Sequence, residues 1–272
     1  MNYDEFLTLI IVTHRSDKNL LENKLNKLAP FFRTLIIENS NDKSLKLFEE
    51  KYSNVKVYFV DNTGNGGGIN QGLRLTKTKF AAYIDLDIEI DKPDIDKFVQ
   101  RAEEIKNFAI LIPNLDNKYK TNEIKECYEF TGSMMFLNLE NLKDVGEFDE
   151  NIFLYYEEYD FAHRCKILNK KIFLLPDIKI SHKPSSSVKV NDEKINDLKV
   201  LRQWHFMWSK FYFFKKNFSY FYALKKTFPD FFVNLVKLII LFPFNKNKSK
   251  IFYARLEGLL NSIIGKRSSK RL

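Results

Sequence analysis

In the stretch YIDLDIEI, Tyr83 to Ile90, an apolar run ends in a ladder of carboxylates. Asp85 and Asp87 stand two residues apart, with Glu89 and then Asp91 behind them. Two carboxylates so spaced at a strand end can reach one hard cation. Mg²⁺ or Mn²⁺ would be satisfied by them, with diphosphate oxygens and water completing the shell. A strand running out into solvent would present the same residues, and Glu89 and Asp91 are read as solvent-facing. A second acidic group lies in YYEEYDFAHR, where Glu157, Glu158 and Asp160 open a helix. There the helix dipole favours negative charge. The apolar FLYY before them could raise a carboxylate pKa into the range of a general base.

NTGNGGGINQG, Asn62 to Gly72, is a glycine-rich turn opening a helix, a place where backbone N–H groups suit phosphate. Its spacing is not the dinucleotide fingerprint, and no Walker lysine follows. His182 lies at the end of a predicted strand, and His14 ends the first strand. His163 and His205 are read as helix residues with no assigned role.

These residues need a scaffold. LTLIIVTH, RTLIIENS, NVKVYFVDN, KFAAYIDLD and FAILIPN are short apolar runs separated by helix-like stretches. That pattern predicts a parallel sheet covered on both faces, with ligands bound beyond the strands' carboxyl ends. The residues at those ends are Thr13-His14, Glu38-Asn39-Ser40, Asp61-Asn62 and Asp85-Leu86-Asp87, all polar or acidic apart from Leu86. YEFTGSMMFLN reads as a further strand, and KIFLLPD and IKISHKP as two short strands around Pro176. From about Asp192 the pattern is helical, aromatic and rich in lysine.

The 272 residues are 44% hydrophobic and 29% charged, as in a globular chain. The 26 Phe and the net charge of +9 weigh toward the C-terminal third, while carboxylates gather before it. Two cysteines are too few for a disulfide framework or a zinc knuckle. The start lacks the basic segment of a signal peptide, and FFVNLVKLIILFPF is too short and too polar to span a bilayer. The expectation is a cytoplasmic protein, peripheral on the cytoplasmic face of the inner membrane if it meets lipid. No nucleic-acid motif accompanies the basic tail.

In their order, IVTH, ENSND, NTGNGGGINQGL, the Asp-x-Asp, GSMMFLN, VGEFDENIFLYYEEYD and a strand ending in His resemble the family 2 glycosyltransferases, particularly the rhamnosyltransferase-like branch. The resemblance covers roughly residues 7–190. It implies a GT-A fold, a Rossmann-like α/β/α sandwich with a mostly parallel sheet, over residues 1–190, and a helical extension over 191–272. Thr13, Glu38 and Asn39 would line the nucleoside pocket, and Asn65, Gly66, Gly67 and Asn70 would lie beside the diphosphate. Asp85 and Asp87 would hold the Mg²⁺ or Mn²⁺, with Asp85 also touching the donor and His182 approaching from the other side. Glu158 would be the general base. Two positions depart from the family: Glu38 replaces the usual aspartate, and Glu157-Glu158 replaces the usual Glu-Asp.

The implied reaction is inverting transfer of a sugar, rhamnose by branch, from a UDP- or dTDP-sugar to a glycan or lipid-linked glycan in cell-surface polysaccharide synthesis. A nucleotide-dependent oxidoreductase would need its glycine fingerprint where this chain has THRSDKN. A non-catalytic nucleotide-sugar or membrane-binding module would bind without turnover. The C-terminal aromatics and lysines suit either an anionic membrane surface or packing on the core.

Overall fold

The apolar runs become strands because each is buried on both sides. In the strand Phe80–Ile84, residues Phe80, Ala82 and Ile84 enter one core, while Ala81 and Tyr83 enter another. This two-residue alternation, apolar on both faces, is what a sheet covered by helices requires. The computed structural model describes residues 6–183 and 192–271. It divides into two compact units: Met1–Thr63, Gly67–Phe148 and Phe161–Lys189 in one, and Gly64–Gly66, Asp149–Asp160 and Val190–Leu272 in the other. The expected division after residue 190 falls outside the described residues.

In chain order the elements are β1 (Leu7–Thr13), α1 (Lys18–Leu28), β2 (Arg33–Glu38), α2 (Leu47–Lys51), β3 (Val55–Phe59), α3 (Asn65–Leu75), β4 (Phe80–Ile84), β5 (Ile88–Glu89) and α4 (Lys92–Ile105). There follow β6 (Ile110–Leu115), β7 (Lys125–Glu126), β8 (Met134–Asn138), α5 (Leu139–Leu142), α6 (Glu157–Ile167) and β9 (Ile172–His182). The last three are helices: α7 (Asp192–Asn217), α8 (Tyr220–Leu241) and α9 (Lys246–Ile263).

The sheet order is β3-β2-β1-β4-β8-β6-β9-β5, with β7 beside β9. Strands β3, β2, β1 and β4 run parallel, and the order reverses between β1 and β4. Such a switch point leaves a crevice at the strands' carboxyl ends. The sheet is mixed beyond it, because β8 pairs antiparallel with both β4 and β6. Two expectations change. YEFTGSMMFLN forms a strand only from Met134, since pairing with β4 begins at Met134 opposite Ile84. KIFLLPD and IKISHKP join into β9, one strand through Pro176, and the part of that stretch beyond Lys183 lies outside the described residues. Opposite the consecutive Pro113 and Asn114 stand Leu175 and Lys179, so Pro176, Asp177 and Ile178 form a bulge. A proline is tolerated there because the ladder is already interrupted.

The helices carry local signals. Asp17 caps α1 by accepting from the Asn19 amide at 2.9 Å, and Leu21, Leu25 and Leu28 give it a buried face. Asp91, read as solvent-facing, closes a capping box with Asp94 at the start of α4. Part of the NTGNGGGINQG signal is packing. A Cβ on Gly68 would stand 2.6 Å from Val12 Cγ1, and one on Gly72 would overlap Ile10, so both let α3 lie close on β1.

In the second unit α7, α8 and α9 pack together, and Gly258 lies so near the Trp204 carbonyl that a Cβ would overlap it. The basic end of the chain is docked here. Trp208 Nε1 donates to the Lys266 carbonyl at 2.9 Å, His205 bonds Ser268 Oγ and the Lys270 carbonyl at 2.9 and 3.0 Å, and Arg271 covers the Phe153 ring at 3.5 Å.

Candidate active site

Two groups of side chains gather at the carboxyl ends of the parallel strands in the first unit. The first ties β1, β2 and β3 together. Thr13 Oγ1 donates to Glu38 Oε2 at 2.6 Å, and the Ser40 amide donates to Glu38 Oε1 at 2.6 Å, joined by the Ser40 hydroxyl. Glu38 is wholly buried, so its carboxylate organises the ENSND turn with both oxygens engaged by the protein. Thr13 and Glu38 are opposed across the β1–β2 pair, which places the hydroxyl on the carboxylate. Asn39 Oδ1 lies 2.8 Å from His14 Nδ1, and Asn62 Nδ2 lies 3.4 Å from the same nitrogen. Burial lowers the pKa of His14, which favours a neutral ring whose Nδ1 either donates to Asn39 Oδ1 or accepts from Asn62 Nδ2, one at a time. Beside this turn Arg15, Ser16, Lys18, Asn19, Ser40 and Asp42 line an open hollow of about 580 Å³.

The second group is the carboxylate ladder, which separates by role. Asp87 Oδ1 is 3.4 Å from His182 Nε2. Register brings them together, since Ile88 in β5 pairs with His182 in β9 and the Lys183 amide donates to the Asp87 carbonyl at 2.8 Å. Asp116 steadies His182 by accepting its amide at 2.8 Å. The Asp85 amide donates to the Ser133 carbonyl at 2.8 Å, and its carboxylate accepts from the Tyr83 hydroxyl. Glu89, exposed as expected, pairs with Lys183.

Burial pushes the Asp85 carboxyl up to about 6, the Asp87 charge adding to the shift and the Tyr83 hydroxyl opposing it. Two carboxylates crowded in a partly desolvated place favour a proton or a cation between them. Among the described residues no group of three or more His, Cys, Asp or Glu side chains is placed to hold a metal ion, so Asp85, Asp87 and His182 do not form a three-ligand set here. Two hard oxygen donors with one imidazole nearby instead fit a cation of the Mg²⁺ or Mn²⁺ kind that leaves positions for ligand oxygens.

Sequence reading missed Lys24. It is buried on α1 and donates from Nζ to the Ile88 carbonyl at 2.6 Å. Burial brings its amine down to about 8 against the pull of Asp85 and Asp87. The available signal was a lysine among Leu21, Leu25 and Leu28, on the helix face that should be apolar. Arg15 was also passed over, since the turn that carries it shows no periodicity.

In the second unit Asn65 donates from Nδ2 to Glu157 Oε1 at 3.1 Å, and its amide donates to the Phe153 carbonyl at 3.1 Å. Gly64, with φ +94°, permits that approach, where any Cβ would strike Phe153. Gly66 and Gly67 are buried in the first turn of α3. Asn70, in the first unit, clamps Phe148, giving to its carbonyl at 2.9 Å and taking from its amide at 2.8 Å. Both Asn65 and Asn70 therefore act as struts beneath the FDENIFLYYEEYD segment or within it. Tyr155 and Tyr156, at φ 64° and 70°, adopt the left-handed region in succession just before α6. Non-glycine residues held so cost roughly 1–3 kcal/mol each and cluster at functional sites.

The three acids of α6 also separate. Asp160 is wholly buried and pairs with Lys216 at 2.8 Å and Asn217 at 2.9 Å. Glu157 is buried on Asn65. Of the three, Glu158 alone is partly exposed.

A parallel sheet with a switch point, a carboxylate pair at its crevice and an antiparallel strand beyond define a protein of the GT-A class. Residues 8–174 match the model of Glycosyl transferase family 2, and the chain belongs to that family. It is 22% identical over 199 residues to the low-salt glycan biosynthesis hexosyltransferase Agl10 of Haloferax volcanii, which covers 61% of this chain and 63% of that protein. Solved structures share the fold. The mannosyltransferase PcManGT of Pyrobaculum calidifontis, in complex with GDP-Man and Mn²⁺, has a TM-score of 0.61 at 12% identity, with 96% of this chain and 87% of that one covered. GalNAc-T7 with UDP, GalNAc and Mn²⁺ has a TM-score of 0.59 at 14% identity, with 79% and 50% covered. The chain thus spans about half of GalNAc-T7 and under two thirds of Agl10.

Proposed function

We propose that the protein is a metal-dependent, inverting glycosyltransferase acting on a UDP- or dTDP-sugar. The carrying observation is that Asp85 and Asp87 follow β4 at the switch point, with His182 Nε2 3.4 Å from Asp87 Oδ1. Asp85 and Asp87 would hold a divalent cation, with His182 beside Asp87. The cation, when bound, neutralises charge on the departing diphosphate. The PcManGT and GalNAc-T7 structures, both with Mn²⁺, support a divalent cation in a protein of this fold.

Thr13 and Asn39 line the nucleoside side, with Glu38 holding their turn in shape. Glu158 accepts the proton of an acceptor hydroxyl as that oxygen bonds the anomeric carbon. The bond from that carbon to the diphosphate oxygen breaks with its electron pair going to the diphosphate, and the single displacement inverts the centre. The acceptor is a glycan or lipid-linked glycan of a cell-surface polysaccharide, the sugar is rhamnose by motif branch, and the enzyme works at the cytoplasmic face of a membrane. Agl10, a glycan-biosynthesis hexosyltransferase by name, supports the acceptor class.

The test is a panel of nucleotide sugars screened for Mn²⁺-dependent thermal stabilisation, followed by transfer assays on hits. Stabilisation by one nucleotide class that requires Mn²⁺, with sugar transfer, is expected. Equal stabilisation with and without the cation would contradict the metal role, and binding without any transfer would make the protein a binding module.

A further inference from the structure

Helix α8 buries one side, yet its opposite side is also apolar. Ala223, Thr227 and Asn234 are buried. Phe221, Phe228, Phe232, Val236, Ile239 and Ile240 are exposed, Phe221 by 82% and Ile239 by 65%. At 3.6 residues per turn these six fall within an arc of about 120°. Phe242 and Phe244 extend the strip past the helix end. At about 100 Å² apiece these eight side chains expose on the order of 800 Å², beyond the largest apolar patch of a typical monomer.

Charge identifies what covers this face. Between residues 218 and 250 lie six lysines and one carboxylate, Asp230, which Lys210 already holds at 2.7 Å. Lys225, Lys226, Lys237, Lys246, Lys248 and Lys250 are all exposed. Lys225 stands within the apolar arc, where its stem can lie along the phenylalanines while the amine reaches out. A second copy seated on this face would bring the lysines against one another, which is unfavourable. An anionic lipid surface complements both the apolar arc and the cations. Among the described residues no helix is long and apolar enough to cross a membrane. Of the terminal cations, Lys270 pairs with Glu257 and Arg271 covers Phe153, so these two are engaged within their own unit.

We propose that α8 and the Phe242–Phe244 segment lie in the plane of an anionic bilayer surface, with phenylalanines in the acyl boundary and lysines at headgroup phosphates. The proposal is independent of the sugar-transfer chemistry and narrows the membrane side of the reading above to one helix face.

Full-length protein is sedimented with vesicles of phosphatidylcholine, with or without phosphatidylglycerol, across a salt series. The parent protein should sediment with the anionic vesicles and weaken as salt rises. Phe228→Glu with Ile239→Glu, both exposed positions, should cut the partition about tenfold or more while leaving the melting temperature and nucleotide binding unchanged. In a separate variant, Phe232→Trp, brominated lipid should quench the new indole and spare the buried Trp204 and Trp208. Absence of sedimentation at low salt overturns the proposal, as does a double variant that sediments like the parent. A concentration-dependent dimer that the double substitution dissolves, with no vesicle binding, would assign the face to a second copy instead. Failure of any donor to bind would leave the vesicle result standing by itself.

Discussion

Two acidic pairs in this molecule use the same residue type to opposite ends. Asp149 and Asp160, in the helical unit, share the Lys216 amine at 2.8 Å, and Tyr212 and Asn217 donate to them. Lysine balances them, and they serve as internal ties. Asp85 and Asp87, in the α/β unit, have an imidazole at 3.4 Å from one of them and a lysine whose own charge burial disfavours. Lys216 pairs directly with both of its carboxylates, whereas Lys24 donates from its amine to the Ile88 carbonyl and only attracts Asp85 and Asp87 from beside them. The same comparison separates Glu158 from Asp160 within α6, three residues of which carry acids but only one of which is open.

The largest expected effect follows from that last distinction. Glu158→Gln should lower the transfer rate by roughly 10²–10⁴-fold, the usual worth of a general base, and leave cation-dependent nucleotide affinity unchanged. Asp160→Asn should alter stability first. Transfer rate and nucleotide affinity measured side by side check both. If Asp160→Asn stops transfer in a folded protein while Glu158→Gln does not, the roles are reversed.

The next effect concerns pH and the helical unit. His205 is wholly buried between Ser268 and Lys270, and burial drives its imidazole down to about 4. In the unfolded chain that ring takes a proton near 6.5, whereas the folded ring stays neutral until about 4. The unfolded state therefore binds more protons in this window, and stability should fall as pH drops from about 6.5 to 4, by about 3 kcal/mol at most. Melting curves of the parent and of His205→Gln across that window should diverge as pH falls, with the parent losing more. Parallel curves would contradict the neutral, buried assignment.

A smaller loss is expected at the tie itself. Lys216→Met removes the lysine that the buried Asp160 shares with Asp149. Breaking a fully buried pair costs about 3–5 kcal/mol, and Lys216 is partly exposed, so about 2 kcal/mol is expected from denaturant unfolding. No change would mean that water compensates the carboxylate and that the pair is not the tie described.

Much of the α/β unit was legible in the sequence, because its strands are buried on both faces and read as unbroken apolar runs. The polar residues at their ends, from Thr13 to Asp87, announced the crevice. Pairing direction was not legible, since an antiparallel β8 and a parallel neighbour carry the same apolar pattern. Nor was the union of two runs into β9, because Pro176 signals a break and only the partner strand shows that the ladder resumes. In the site, Asp85, Asp87 and His182 were legible as types, but their meeting depends on the β5–β9 register. The resemblance implied that Asn65 and Asn70 lie beside a diphosphate, while their bonds to Glu157 and Phe148 were not legible because a glycine-rich turn has the same composition whether it faces a ligand or packs. Lys24 went unseen because a lone lysine in a helix ordinarily reaches solvent. The C-terminal aromatics and lysines suited either a membrane surface or packing on the core, since nothing local reveals that Trp208 donates to the Lys266 carbonyl and His205 bonds Ser268 and the Lys270 carbonyl.

The central claim is that Asp85 and Asp87 form a cation site that governs donor binding. Its most direct test is calorimetry of UDP and dTDP with and without Mn²⁺, on the parent protein and on Asp87→Ala, with melting temperatures alongside. Parent affinity should require the cation. In Asp87→Ala the cation-dependent part should fall by more than the roughly 10–100-fold typical of outer-shell partners, with the fold intact. Cation-dependent affinity that survives unchanged in Asp87→Ala would contradict the account.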